Sequence, residues 1–419
     1  MKYFFAVALV WFGCLVAWIA LGSTLVYRSG SMSSELTQEV DQLWGPPLVQ
    51  RPPQAGFTQI EKIREKVTTT DAQGRATQSE VEREVEKRYP IPLTSSDIGV
   101  RLELEHRRKG LIWFPTYAVD FKGKYEFFND TALERKVLLS FPLATENAVY
   151  DGFRIKDGAS KDVALSIDGN AASFERTLAP GERASFAVSY RSRGRSEWRY
   201  QPTEGTGKVE HFRLVADTNF AKVDFPAGTL SPSRHSSTEA GWKGDWTFDS
   251  LISSAPIGIE LPQKLNPGPL ASRITFFAPV GLLFFFFVAA VLSKAKLRPL
   301  HPMHYFFLGC AFFAFHLLFA YLVDHVSVEV AFAISSFVSV FLVLTYARLF
   351  VGWKMALGLL GLPQLVYLVL FSYTFFWDGY TGLAIAIGAV VTLFVIMQIT
   401  GRVRWDERTR SGDLVPGPA

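Results

Sequence analysis

Apolar residues gather in six long runs, one at the start of the chain and five crowded into its last third. The first covers residues 3–26, and the others cover 274–292, 303–323, 328–346, 355–376 and 381–400. A helix of about 20 apolar residues bridges about 30 Å of hydrocarbon, so each run predicts a membrane span. The links between the last five are short and predict antiparallel hairpins. From residue 91 onward, before the second run, the period drops to two. Val100, Leu102 and Leu104 alternate with Arg101, Glu103 and Glu105, and Val119, Phe121, Tyr125 and Phe127 alternate with Asp120, Lys122, Lys124 and Glu126. Val163, Leu165 and Ile167 run into Asp168-Gly169, a hairpin-turn dipeptide, while Phe186, Val188 and Tyr190 follow Pro180-Gly181. Short alternating strands with turn signals between them predict an antiparallel β-sandwich.

These patterns divide the chain. Residues 1–28 read as a transmembrane anchor, uncleaved because its apolar run is long enough to span, although Ala20-Leu21-Gly22-Ser23 imitates a cleavage site. Residues 29–90 read as an extended, proline-rich lead and a polar hairpin. Thr68, Thr69 and Thr70 and a turn at 71–74 favour the hairpin, though the charge of 80–87 also suits a surface helix. Residues 91–200 form a first β-sandwich sub-block. Residues 201–272 form a second, carrying Phe212, Leu214, Phe225, Trp242, Trp246 and Phe248. Residues 273–401 form a five-helix transmembrane bundle, and 402–419 a cytoplasmic tail.

Charge sets the orientation. Lys294, Lys296 and Arg298 follow the second span, Arg348 and Lys354 lie between the fourth and fifth, and Arg402, Arg404, Arg408 and Arg410 follow the last. The alternate links, 324–327 and 377–380, carry no Lys or Arg. Lys and Arg collect on the cytoplasmic side, which places both termini in the cytoplasm and makes residues 29–272 an extracytoplasmic domain, periplasmic in a Gram-negative cell. A net charge of +4 on 419 residues gives no grip on nucleic acid, so none is expected as a partner. Both cysteines, Cys14 and Cys310, fall inside predicted spans, so the polar domain must hold without disulfides.

No catalytic constellation, metal site or cofactor motif is found, and the chain reads as non-enzymatic. Gly205-Thr206-Gly207-Lys208 lacks the preceding glycine and the final hydroxyl residue of a phosphate loop. His301 and His304 are spaced for one helical turn, but Pro302 between them suits a helix start, and no third ligand is apparent. His316 stands near the middle of the third span, on one helical face with Tyr305, Gly309, Phe312 and Ala320. An ionisable group at that depth is a candidate functional residue. The plainer reading is a neutral imidazole bonded to a neighbouring helix, at Gln364, Ser335 or Ser339.

Leu300-His301-Pro302-Met303-His304-Tyr305, followed by Gly309, the Asp324-His325 pair and the Ser335-Ser336 helix, resembles the membrane portion of the CreD family of bacterial inner-membrane proteins. Arg107-Arg108-Lys109-Gly110-Leu111-Ile112-Trp113 and Trp44-Gly45-Pro46-Pro47 are similar to that family's outer parts, so the likeness covers most of the chain. It marks His301, Pro302, Met303, Asp324 and His325 as a family motif. The resemblance implies a multi-pass inner-membrane protein of the cell envelope, linked to envelope integrity or cell-wall stress. Membrane lipid is an expected partner of the protein, and the outer β domain would bind a periplasmic protein or lipid partner while the bundle holds it at the membrane. A transporter or lipid-handling role for the bundle is the alternative, because Gly358, Gly361 and Pro363 interrupt the fifth span.

Overall fold

The computed structural model describes residues 2–70, 76–110, 112–145, 148–203, 207–295, 300–377 and 379–401. The expected turn at 71–74, Gly205 and Thr206, Lys296 and Arg298, Asp378 and the basic tail beyond residue 401 lie outside them. The chain forms two compact units, Met1–Glu35 with Leu265–Ala419, and Leu36–Lys264.

Among the described residues, six helices are long and apolar enough to cross a membrane. They are α1 (Lys2–Trp44), α2 (Pro267–Ala295), α3 (Pro302–Leu322), α4 (Val328–Val351), α5 (Trp353–Phe376) and α6 (Thr381–Thr400). Small residues bring α1 close to α2: a Cβ on Gly268 would lie 2.6 Å from Ser29 Oγ, and one on Gly22 would lie 3.1 Å from the Phe276 ring. Trp11 Nε1 donates to Pro279 O at 3.0 Å. Phe315 and Phe319 of α3 meet Phe332 of α4 edge-on at 5.5 and 6.0 Å.

Two helices depart from expectation. The lead expected to extend from residue 29 is helical as far as Trp44. Residues 31–43 contain no proline or glycine and several strong helix formers, including Glu35, Leu36, Gln38 and Glu39, so nothing stops the helix earlier. It ends where Gly45 adopts φ +101° and Pro46 follows. The expected interruption of α5 takes the form of two widened π segments, Leu357–Gly361 and Leu365–Leu370, on either side of Leu362–Gln364. Pro363 has no N–H to give the preceding turn, and a π turn absorbs the mismatch while the helix continues.

The second unit is a β-domain of three sheets. The seven-stranded sheet runs β13 (Arg234–Thr238), β14 (Gly241–Ser253), β12 (Gly207–Thr218), β4 (Leu93–Lys109), β5 (Ile112–Phe128), β10 (Arg183–Arg195), β7 (Asp151–Asp157). The five-stranded sheet runs β3 (Ala76–Ile91), β2 (Gln54–Thr70), β6 (Arg135–Pro142), β9 (Ala171–Leu178), β8 (Ser166–Asp168). A small sheet joins β1 (Leu48–Gln50), β11 (Glu197–Tyr200) and β15 (Ile257–Glu260). The two large sheets face one another through aromatic side chains. Phe141 of β6 packs on Phe121, Tyr125 and Tyr190, and Phe174 of β9 on Phe186, with centroids 5.8–6.4 Å apart. Each such ring contributes about 1.5–3 kcal/mol by leaving water.

One polar side chain ties the three sheets together. Gln50 is fully buried; its Nε2 donates to Arg51 O and Pro142 O at 2.7 and 2.8 Å, and its Oε1 accepts from Tyr190 Oη–H at 2.7 Å.

The polar hairpin is present as β2 and β3, paired from Ala55↔Ile91 to Thr70↔Ala76. The two expected sub-blocks are joined within the seven-stranded sheet, because β12 pairs in parallel with β4, Leu214 opposite Ile98. Local alternation cannot reveal a pairing between strands more than a hundred residues apart. That pair and β1–β11 are the parallel exceptions to the expected antiparallel sandwich. The strand expected through Val163, Leu165 and Ile167 shrinks to β8, and Asp168 pairs with Ala171, so the turn residues are Gly169 and Asn170. Gly169 sits at φ +53° there.

Candidate functional site

The residues singled out in the sequence fall into three places in the membrane unit. His301 caps α3, its Nδ1 accepting from Met303 N at 3.3 Å, with Pro302 in the first turn. Met303 is exposed, and His304 Nδ1 lies 2.9 Å from Tyr346 Oη while its ring stacks on Phe350 at 4.1 Å. Among the described residues no group of His, Cys, Asp and Glu is arranged to hold a metal. At the other end of α3, Asp324 receives a 2.6 Å bond from Arg28 of α1, whose guanidinium also lies 5.5 Å from the Tyr321 ring. His325 is exposed beside it.

His316 is wholly buried. Its Nδ1 lies 3.1 Å from Phe312 O, and a carbonyl only accepts, so Nδ1 carries the proton and Nε2 presents a lone pair. Among the described residues nothing meets that Nε2. The Trp18 ring of α1 stands edge-on to the imidazole at 5.6 Å, and its Nε1–H is likewise buried and unmatched. His316 therefore bonds within its own helix, not to the three partners anticipated. Those residues form a second centre: Gln364 Nε2 donates to Ser339 Oγ at 2.9 Å, and Ser339 Oγ donates to Ala311 O at 2.7 Å. Gln364 Oε1, Ser335 Oγ and Ser336 Oγ are buried without a partner among the described residues. Gln364 occupies the short α turn between the π segments of α5, and such widened turns recur at functional sites. Proline and glycine hinted at an irregular helix, and Gln364 was marked in the chain as a partner for His316, but not as the residue between two π turns.

The β-domain holds a cleft of about 670 Å³, within the range of small-molecule sites. Three segments that leave one sheet for another converge on it. Pro52 and Pro53 separate β1 from β2, Pro92 separates β3 from β4, and Pro202 follows β11. Proline donates no ladder hydrogen bond, so the strands end here and the sheets part. Ile91, Phe127 and Val209, all under 9% exposed, form apolar walls. Arg88 and Lys208 are exposed and also line the cleft. No local pattern in the chain announces it, because its walls come from residues more than 150 positions apart.

Two solved structures show a distant likeness. A candidate nutrient-binding protein of Legionella pneumophila is 14% identical over 49% of this chain and 77% of its own, with a TM-score of 0.29. A zinc metallopeptidase of the M1 class from Deinococcus radiodurans is 10% identical over 41% of this chain and 42% of its own, with a TM-score of 0.23. Neither likeness carries an argument about this fold or its activity. No curated protein matches the chain. The model of one family, described as inner membrane protein CreD, matches residues 2–406, nearly the whole length. With six spans, a β-domain between the first and second, and a family match from one end to the other, the chain belongs to the CreD family of inner membrane proteins.

Proposed function

We propose that this protein serves the cell envelope by binding, without catalysing a reaction, and that its β-domain holds a periplasmic protein or lipid partner. The reading includes an orientation. Both termini face the cytoplasm and the β-domain faces the periplasm, because the Lys and Arg clusters follow the second, fourth and sixth spans. A link to envelope integrity or cell-wall stress is the role that best suits such a placement. The observation that carries the binding role is the proline-walled cleft, concave and large enough to take a ligand.

Two experiments test it. A phosphatase reporter inserted at residue 88 should be active, and one fused after residue 401 inactive; the reverse would sink the orientation. A photo-crosslinking side chain at Gln54, on the cleft, should capture a partner in living cells, whereas one at Ser236, on the exposed edge strand β13, should not. Equal capture from both positions would remove the cleft from the function.

A second reading has a specific observation behind it. Gln364, with its unmatched Oε1 between two π segments, is the kind of irregular intramembrane position that lines transport sites. On that reading the bundle handles a lipid or solute, and Gln364→Leu should abolish the handling without lowering the amount of protein in the membrane.

A further inference from the structure

We infer that the cleft of the β-domain binds a single-chain anionic lipid, its acidic headgroup held by Arg88 and its chain laid along the apolar walls. The inference rests on the binding role proposed above and names the class of partner. Charge is the first argument. Two cations line the cleft, and among the described lining residues there is no carboxylate. They are not equivalent. The exposed Lys208 ammonium is paired with Glu210. Among the described residues no carboxylate pairs with Arg88. This contrasts with its own hairpin, where Lys62, Arg64, Arg83 and Lys87 each face a glutamate across the strands. An exposed guanidinium left over at the mouth of a concave site is a planar, two-pronged donor suited to a phosphate or carboxylate.

Shape and polarity are the second argument. The rest of the lining includes the buried Ile91, Phe127 and Val209 and five prolines, at 52, 53, 90, 92 and 202, beside the polar Gln54 and Thr203. Proline rings present apolar surface and remove five backbone donors from the lining. A wholly polar anion would leave the apolar lining unused, and an uncharged hydrocarbon would leave the guanidinium unused. An amphiphile with one acidic end uses both. The opening at 670 Å³ accommodates one alkyl chain and a compact headgroup.

The test uses the full chain in lipid nanodiscs and three probes below their micelle concentrations: decyl phosphate, decyltrimethylammonium and inorganic phosphate. Decyl phosphate should bind saturably, with Arg88→Ala weakening it roughly tenfold or more, the loss expected for a charge-assisted bond. Gln54→Trp, which places a large ring over the cleft from an exposed position, should abolish binding while circular dichroism and thermal unfolding stay unchanged. Decyltrimethylammonium and inorganic phosphate should bind far more weakly. Inorganic phosphate binding as tightly as decyl phosphate would reduce the site to an anion contact and overturn the lipid assignment. Unchanged binding in Arg88→Ala or Gln54→Trp would move the ligand elsewhere and overturn it too. If crosslinking at Gln54 captures a protein that decyl phosphate does not displace, the binding role stands and the lipid does not; if nothing is captured or bound, both fall.

Discussion

At the scale of single residues, the buried tyrosines make the clearest prediction. Tyr117, Tyr125, Tyr190 and Tyr200 are enclosed in the β-domain, and burial pushes each phenol well above its ordinary value. A raised phenol keeps its proton in the folded state when the unfolded chain would lose it. Their contribution is therefore complete below about pH 10 and falls as pH rises past it, by about 1.4 kcal/mol per tyrosine and pH unit. Phenolate absorbance from these residues should appear together with loss of β-structure by circular dichroism; ionisation ahead of unfolding would show that they are not enclosed. Gly45 is a second such position. A Cβ there would lie 2.6 Å from Arg193 O, and φ is +101°, so Gly45→Ala should destabilise the β-domain by about 1–3 kcal/mol, read from its denaturation midpoint. His316 is a different case. An apolar side chain of similar size removes an unmatched polar atom, so His316→Leu should leave abundance and thermal stability nearly unchanged. A lost envelope phenotype at full abundance would then assign the imidazole an active role, and an undiminished phenotype would deny it one.

At the scale of elements, the long hairpin is held differently from the rest. Its cross-strand pairs, Lys62–Glu84, Arg64–Glu82, Arg83–Glu65 and Lys87–Glu61, are largely solvent-exposed, and exposed pairs contribute about 0–1 kcal/mol each. Among the described residues only its base, Ala55, Phe57 and Ile91 with Tyr89 packed against them, enters the core. Replacing residues 60–86 with Asn-Gly joins Gln59 to Lys87, which already face each other, and should lower the melting temperature of the β-domain by less than about 4 °C. A larger fall would mean that the tip carries packing. Elements whose cause is local could be read from the chain. Six apolar runs became six helices, and the two-residue alternation around Phe121 and Val188 became β5 and β10. The helical continuation of α1 was obscured because residues 29–44 are polar and lie between an apolar run and a cluster of prolines. The pairing of β12 with β4, the Gln50 junction and the cleft were unreadable for one reason: each joins segments whose meeting depends on the whole fold. His316 could be picked out from its depth alone, whereas Gln364 acquires its significance only from the π turns around it.

At the scale of the whole molecule, the two units have separate cores. The cluster around Phe121, Tyr190 and Trp246 contains only residues of the β-domain, and the cluster around Leu282, Phe312 and Phe315 only residues of the membrane unit. A unit with its own closed core should fold by itself. The β-domain also includes the last turns of α1. Asp41 holds the Arg195 guanidinium through both carboxylate oxygens, Glu39 pairs with Lys109, and the Trp44 ring lies between Arg107 and Arg193, at 3.4 and 4.7 Å from their guanidinium carbons. The Asp41–Arg195 pair is mostly shielded, at 28% and 18% exposure, so its charge-assisted bonds contribute about 1.5–3 kcal/mol. A fragment of residues 36–264 should therefore be recovered without detergent as a soluble, β-rich monomer with one cooperative unfolding transition. A fragment of residues 48–264, which loses the helical turns and their three arginine contacts, should fold with a clearly lower midpoint, and Asp41→Ala in the longer fragment should reproduce part of that loss. Equal midpoints for the two fragments would show that residues 36–44 are held by nothing in the β-domain, and aggregation of both would show that its core is incomplete without the membrane helices.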